Sequence, residues 1–139
     1  MCIRDRINEG KKISEEELRY MHMKKTGALI KVSIVAGAIL GNASEEEIEL
    51  LEKFGENLGL AFQIKDDILD VIGNTEKLGK KVLSDEENDK TNFISMHGLD
   101  YCIKECERLT NESINILDSL SVNTEALKIL TKELLDREN

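Results

Sequence analysis

Apolar residues recur along this chain at steps of three and four, and polar capping residues divide the pattern into helices. Ser14 with Glu17 has the spacing of a capping box, after which helical periodicity runs through Leu18 and Met21 toward Leu40. Thr26-Gly27 interrupts that run and predicts a kink or break. Gly27, Ala28, Ser33, Ala36, Gly37, Ala38 and Gly41 are small enough for a neighbouring helix to come close, and Gly41-Asn42 reads as the stop. Ser44 and Glu47 form a second capping box, with Glu45, Glu46 and Glu47 favourable to the helix dipole. Apolar residues then follow at Ile48, Leu51, Phe54, Leu58 and Phe62, the period of a buried helix face.

Gly55 and Gly59 lie one turn apart on that helix, a spacing that in a soluble protein points to tight packing. Gly73-Asn74 predicts its end. No apolar period holds over residues 73–91, which read as a long loop, Lys77, Lys80 and Lys81 in its first half and Asp85, Glu86, Glu87 and Asp89 in its second. Two more helices are expected. One spans about residues 100–120 with Cys102, Cys106, Leu109 and Ile116 inward. The other follows an Asn123 cap with Leu127, Leu130 and Leu134 inward. The fold class this predicts is all-α, an antiparallel helix bundle.

Composition agrees. The chain of 139 residues has no proline, 40% hydrophobic and 34% charged residues, enough for a packed core. Its net charge of −9 lacks the basic footprint that nucleic acid requires, but suits an anionic small molecule if divalent cations bridge acid to acid. Cys2, Cys102 and Cys106 form no disulfide framework, and no secretory signal precedes them. The longest apolar stretch, Ala28–Leu40, is too short for a bilayer and is interrupted by Lys31 and Ser33. A soluble, cytoplasmic protein is expected. Residues 1–7 fit no helix start and are set aside as an extraneous opening, leaving 8–139 as the domain.

The chemistry concentrates in Phe62-Gln63-Ile64-Lys65-Asp66-Asp67-Ile68-Leu69-Asp70. At about 100° per residue, Gln63, Asp66, Asp67 and Asp70 share one quadrant of the helix. The rest of the circumference is mostly apolar, so the aspartates are expected to line a cavity. Crowded carboxylates there repel and lose hydration, an arrangement that makes sense around hard divalent cations. Spacing alone supports an acidic surface stripe equally well. Lys25-Thr26 at the helix interruption, Lys80 after Leu78-Gly79, and Lys90-Thr91 add point charges suited to phosphate, although each alone reads as a solvated lysine. Cys102 and Cys106 read as buried small hydrophobes, and His22 and His97 as structural, with His22 within reach of a supporting place near Thr26.

Taken in order, Lys25-Thr26-Gly27-Ala28-Leu29, the segment from Gly59 through Asp70, Leu78-Gly79-Lys80, and Asp85 with Lys90-Thr91 resemble the trans-prenyl diphosphate synthases, most nearly the bacterial farnesyl type. The resemblance runs from about Asn8 to the end and implies the C-terminal part of an isoprenoid synthase-like bundle. It implies that Asp66, Asp67 and Asp70 are the second of two aspartate-rich motifs and bind Mg²⁺, with Mn²⁺ a substitute. Lys25, Lys80 and Lys90 would hold the allylic diphosphate, while Lys25, Thr26 and Gln63 would face the developing allylic cation. The reaction implied joins dimethylallyl or geranyl diphosphate to isopentenyl diphosphate, giving farnesyl diphosphate in a homodimeric parent.

Some parts of the family pattern are absent. The sequence carries one Asp-Asp-x-x-Asp, and Phe93 is followed by Ile94 where the family often has proline. The first metal motif, the isopentenyl diphosphate site and the positions that set product length belong upstream of Asn8, so the chain is expected to be inactive alone. A geranylgeranyl or longer-chain synthase, and a non-catalytic helical subunit of the same fold, remain alternatives.

Overall fold

The structure is a computed structural model that describes residues 14–78 and 92–137, apart from the side chains of Lys25 and residues 74–78. The extraneous opening expected at residues 1–7, and the loop lysines Lys80, Lys81 and Lys90, lie outside the described residues. Among the described residues the secondary structure is helical throughout. Helix α1 is Glu15–His22, followed by a π-helical turn at Met23–Gly27 and then α2, Ala28–Leu40. Helix α3 is Glu45–Leu78, α4 is Phe93–His97, α5 is Leu99–Ser119 and α6 is Glu125–Asp136.

Both expected capping boxes form. The Glu17 amide donates to Ser14 Oγ at 3.2 Å while the Ser14 amide donates to Glu17 Oε2 at 2.9 Å. Ser44 and Glu47 repeat the exchange at the start of α3, again at 3.2 and 2.9 Å. Each exchange satisfies two amide donors that a helix start would leave unpaired. Asn42, with φ 56°, ends α2 in the left-handed region where asparagine is better tolerated than most residues.

The interruption expected at Thr26-Gly27 is present as a π turn over Met23–Gly27, with helix continuing on both sides. Two other sequence expectations change. Gly73-Asn74 does not stop α3, which runs on to Leu78. An interior glycine weakens a helix by about 1 kcal/mol relative to alanine but ends it only when a left-handed cap forms, and Gly73 takes no positive φ. In α6 the inward face is rotated: Thr131 and Leu135 are buried, whereas Leu130 is 46% exposed. Thr131 Oγ1 donates to the Leu127 carbonyl at 2.7 Å, which lets a polar residue take that inward position. The short α4 has no counterpart among the sequence expectations. Its Asn92 cap accepts from the Ser95 amide at 2.7 Å, and the Ser95 hydroxyl accepts from the Asn92 amide at 3.0 Å.

Helix α3 is the axis of the fold, packed by α2, the π turn, α5, α6, α1 and α4. Its buried residues Leu51, Phe54, Leu58, Ala61, Ile64 and Ile68 join Leu18, Phe93, Cys102, Leu109, Leu117 and Leu135 in one core. Each fully buried leucine or phenylalanine there contributes about 2 kcal/mol relative to exposure. The glycine pair does what its spacing suggested. A Cβ on Gly59 would lie 2.6 Å from Gly27 Cα, and one on Gly55 would lie 2.9 Å from Lys31 Cα, so α3 meets the π turn and α2 backbone to backbone. Lys31 Nζ closes the same seam by reaching Glu52 and Glu56 at 3.1 and 2.9 Å.

None of the residues of α2 is fully buried. Ile30, Ile34 and Ala38 pack on the core, but Leu29, Val32, Ile39 and Leu40 are open to solvent, Leu40 at 83%. Exposed apolar side chains gathered on one helix favour association. No described helix is long and apolar enough to cross a membrane.

Two measurements check this packing. Gly59→Ala is expected to destabilise the chain by about 1–3 kcal/mol in urea unfolding, the usual effect of overpacking against backbone. Gly73→Ala, where an added Cβ meets nothing within 4 Å, is expected to be neutral or to stabilise by about 0.5–1 kcal/mol. Equal effects would mean the Gly27–Gly59 approach is not tight in solution. Separately, the exposed face of α2 predicts self-association of the 139-residue chain. A monodisperse monomer in light scattering, binding no hydrophobic dye, would contradict it.

Candidate functional site

The Gly27–Gly59 approach places α1 and the π turn beside the middle of α3, one turn before the acidic segment. There His22, on the last turn of α1, meets Gln63, which is only 4% exposed. His22 Nδ1 and Gln63 Oε1 are 3.1 Å apart. The Gln63 amide nitrogen lies 3.5 Å from Asp66 Oδ2. His22 Nε2 is buried, has no hydrogen-bond partner, and points toward Asp67 Oδ2 at 4.0 Å. The imidazole stacks on Phe93 with ring centres 5.3 Å apart.

The three aspartates occupy different surroundings. Asp67 turns inward, its side chain 15% exposed, and Oδ2 accepts from the Phe93 amide at 3.1 Å. Asp66 is 42% exposed, and its Oδ1 accepts from the Arg137 guanidinium, which also lies over the Phe62 ring. Asp70 is exposed. Of the three, Asp67 alone is mostly buried. The 100° step from Asp66 to Asp67 sends these neighbours to different sides of α3, one toward the end of α6 and the other toward α1 and α4. A groove of about 460 Å³ lies on the opposite face of α3, lined by Lys65, Ile68, Ile72, Cys106 and Leu135 among others, and includes none of Asp66, Asp67 and Asp70.

Burial pushes the Asp67 carboxyl above the usual carboxylate range. The Phe93 amide and His22 oppose that shift, while Asp70 and Asp66 reinforce it. The same physics silences the cysteines. Burial raises Cys102 to about 11 and Cys106 to about 12, and Cys106 Sγ donates to the Ala61 carbonyl at 3.3 Å. Neither thiol is activated as nucleophile or ligand.

Among the described residues no group of three or more His, Cys, Asp or Glu side chains converges as a ready metal cage. The donor set nevertheless fits Mg²⁺, which takes one or two carboxylates and completes its shell with water and phosphate oxygens. A guanidinium already stands against Asp66, so that carboxylate does attract a cation. Of the other residues singled out in the sequence, Thr26 lies in the π turn beside this cluster, and Lys25 shares the turn with its side chain undescribed.

Sequence reasoning misses Arg137 and undervalues His22. Arg137 lies 71 positions from Asp66, so no local spacing could connect them. His22 lies one helical turn before Lys25-Thr26, and that placement was the available signal.

Comparison with known proteins follows the same residues. The polyprenyl synthetase family model matches residues 3–133, beginning within the segment set aside as extraneous. A farnesyl diphosphate synthase of Bacillus subtilis is 44% identical over 114 residues, covering 77% of this chain and 38% of the relative. A geranylgeranyl diphosphate synthase of Cyanophora paradoxa is 39% identical over 110 residues, 78% of this chain and 37% of that protein. A solved geranyltransferase of Helicobacter pylori, complexed with magnesium and isoprenyl diphosphate, superposes with a TM-score of 0.70 at 31% identity. That alignment covers 96% of this chain and 44% of the other. The chain thus spans less than half the length of these relatives. With a match over nearly its whole length and the same all-helical fold, the chain belongs to the polyprenyl synthetase family.

Proposed function

We propose that this chain supplies one metal-binding half of a cytoplasmic, homodimeric, Mg²⁺-dependent prenyl diphosphate synthase. The reaction condenses dimethylallyl or geranyl diphosphate with isopentenyl diphosphate to give farnesyl diphosphate and diphosphate. The observation that carries this reading is the turn from Gln63 to Asp70. It holds a carboxylate almost buried at Asp67, next to a second that already draws in a cation at Asp66. A merely solvated acidic face has no reason to bury one.

In this reading Asp66, Asp67 and Asp70 hold Mg²⁺, for which Mn²⁺ substitutes. When bound, the metal supplies positive charge to the departing diphosphate. Lys25, Lys80 and Lys90 bind the diphosphate oxygens as point charges, fixing its orientation. Thr26 and Gln63, beside the seam closed by Gly27 and Gly59, present neutral dipoles to the positive charge that develops on the allylic carbon. The apolar walls of α3 keep water from that carbon. The farnesyl product is supported by the Bacillus subtilis relative, and a geranylgeranyl product by the Cyanophora paradoxa one. Product analysis separates them.

The chain alone carries one Asp-Asp-x-x-Asp and is expected not to turn over with Mg²⁺, an allylic diphosphate and labelled isopentenyl diphosphate. Joined to the upstream portion of the Bacillus subtilis relative, it is expected to make prenyl diphosphate. A folded fusion without turnover would refute the proposal. Within that fusion, Asp66→Ala should lower turnover far more than Asp70→Ala, which is exposed and acts mainly through water; losses of about 10–100-fold are typical for such outer groups. Equal losses would show that Asp66 is not the inner ligand.

Asp67 gives a test in stability. Its raised carboxyl pKa contributes stability that is fully present below the unfolded carboxylate pKa and is lost as pH rises through the raised value. In metal-free chain, Asp67→Asn should therefore raise Tm at pH 7 and leave it unchanged at about pH 3, below the unfolded carboxylate pKa. The asparagine oxygen can still accept from the Phe93 amide. A fall in Tm at pH 7 would mean the ionised carboxylate stabilises this site.

A further inference from the structure

We infer that His22 is a positioning residue: its Nδ1–H fixes the side-chain amide of Gln63, and Gln63 in turn holds Asp66 in place. This rests on the proposed role of Asp66 and Asp67 as metal ligands. The chain of contacts is buried at its His22 and Gln63 end and partly open at Asp66. The Gln63 amide nitrogen faces Asp66 Oδ2 at 3.5 Å and its oxygen faces His22 Nδ1 at 3.1 Å. A carboxylate oxygen only accepts, so the end of the amide facing Asp66 must be the NH₂. The end facing His22 is then the carbonyl, which also only accepts. His22 therefore carries a proton on Nδ1 and donates it to Gln63.

Without that donor the amide loses the contact that orients it. Turned over, it would point a carbonyl oxygen at Asp66 and repel the carboxylate. The imidazole is itself held in plane. It stacks on Phe93, inclined by 22°, and the Phe93 amide holds Asp67 at 3.1 Å. One ring thus stands behind both carboxylates, linked to Asp66 through Gln63 and facing Asp67 across 4.0 Å. Packing does not account for a histidine here. The ring is nearly buried and its Nε2 has no hydrogen-bond partner, a penalty that phenylalanine or leucine would not carry.

The test compares three side chains at this position in the full chain. His22→Asn keeps a donor close to where Nδ1 stands, whereas His22→Phe keeps the stack on Phe93 and loses the donor. Mn²⁺ alone is titrated, and paramagnetic broadening of the backbone amides of residues 63–70 reports its binding. His22→Phe is expected to require about 10-fold more Mn²⁺ or beyond, as for other groups that orient metal ligands, and His22→Asn to stay within about threefold of the unaltered chain. A packing role reverses that order, with phenylalanine tolerated and asparagine harmful, and would overturn the inference. Long-range ¹H–¹⁵N spectra of the unaltered chain give a reading that needs no variant to fold. A protonated Nδ1 supports the assignment, and an unprotonated one overturns it. If the unaltered chain shows no broadening at residues 63–70, the metal reading fails and this inference with it. Broadening in the unaltered chain that His22→Phe leaves unchanged removes the inference alone.

Discussion

Gly27 and Gly59 meet as bare backbone, at a distance where even one methyl group on Gly59 would sit 2.6 Å from Gly27 Cα. The position of the site depends on that approach. Gly55 repeats it one turn earlier against Lys31, so α2 and the π turn come backbone to backbone with α3 at both glycines. His22 precedes Gly27 by little more than one turn, and Gln63 follows Gly59 by about the same interval. Bringing the two glycines together therefore brings the imidazole to the amide at 3.1 Å. A seam held apart by side chains would open that contact, because a hydrogen bond tolerates only a few tenths of an ångström.

The same seam creates the site's main electrostatic burden. Moving α1 close to α3 covers Asp67, whose ionised form then loses hydration with one backbone amide and the facing imidazole as compensation. The protein keeps a carboxylate where an amide would serve the metal-free fold as well. Several other buried polar groups are satisfied locally: Thr131 and Thr110 donate to carbonyls one turn back, and Thr124 to the Leu117 carbonyl. Asp67 is the place where fold and chemistry conflict, as expected of a functional position.

Much of the fold is legible in the sequence because its signals are local. Capping boxes at Ser14 and Ser44, the apolar period from Leu51 to Leu58, and the glycine pair all report on neighbours within a turn. The failures are of two kinds. Gly73 reads as a stop, yet a helix ends at glycine only where the chain turns left-handed, as it does near Gly98 with φ 84°. Helix α4 escapes notice because five residues cannot display a helical period, although Asn92 and Ser95 carry its cap. In the site, the quadrant shared by Gln63 and the aspartates is visible. What each faces is not, since Phe93, Arg137 and His22 come from elements 26, 71 and 41 positions away.

Those distant partners show how the chain itself offsets the charge of a crowded acidic segment. Two carboxylates side by side would repel, yet each has its own compensation: Asp66 the guanidinium at the end of α6, Asp67 the amide at the start of α4. The two compensations differ in kind. The Phe93 amide is fixed by the backbone of a capped helix, whereas Arg137 is a long side chain just past the end of α6, resting on the Phe62 ring. A cation arriving at this turn meets a displaceable rival only at Asp66. Exchanging the Arg137 side chain there would leave the backbone in place, while displacing the Phe93 amide would require α4 to move. The geometry thus separates a carboxylate whose partner can be exchanged from one whose partner is part of the scaffold. His22 stands behind both, meeting Asp66 through Gln63 and facing Asp67 directly.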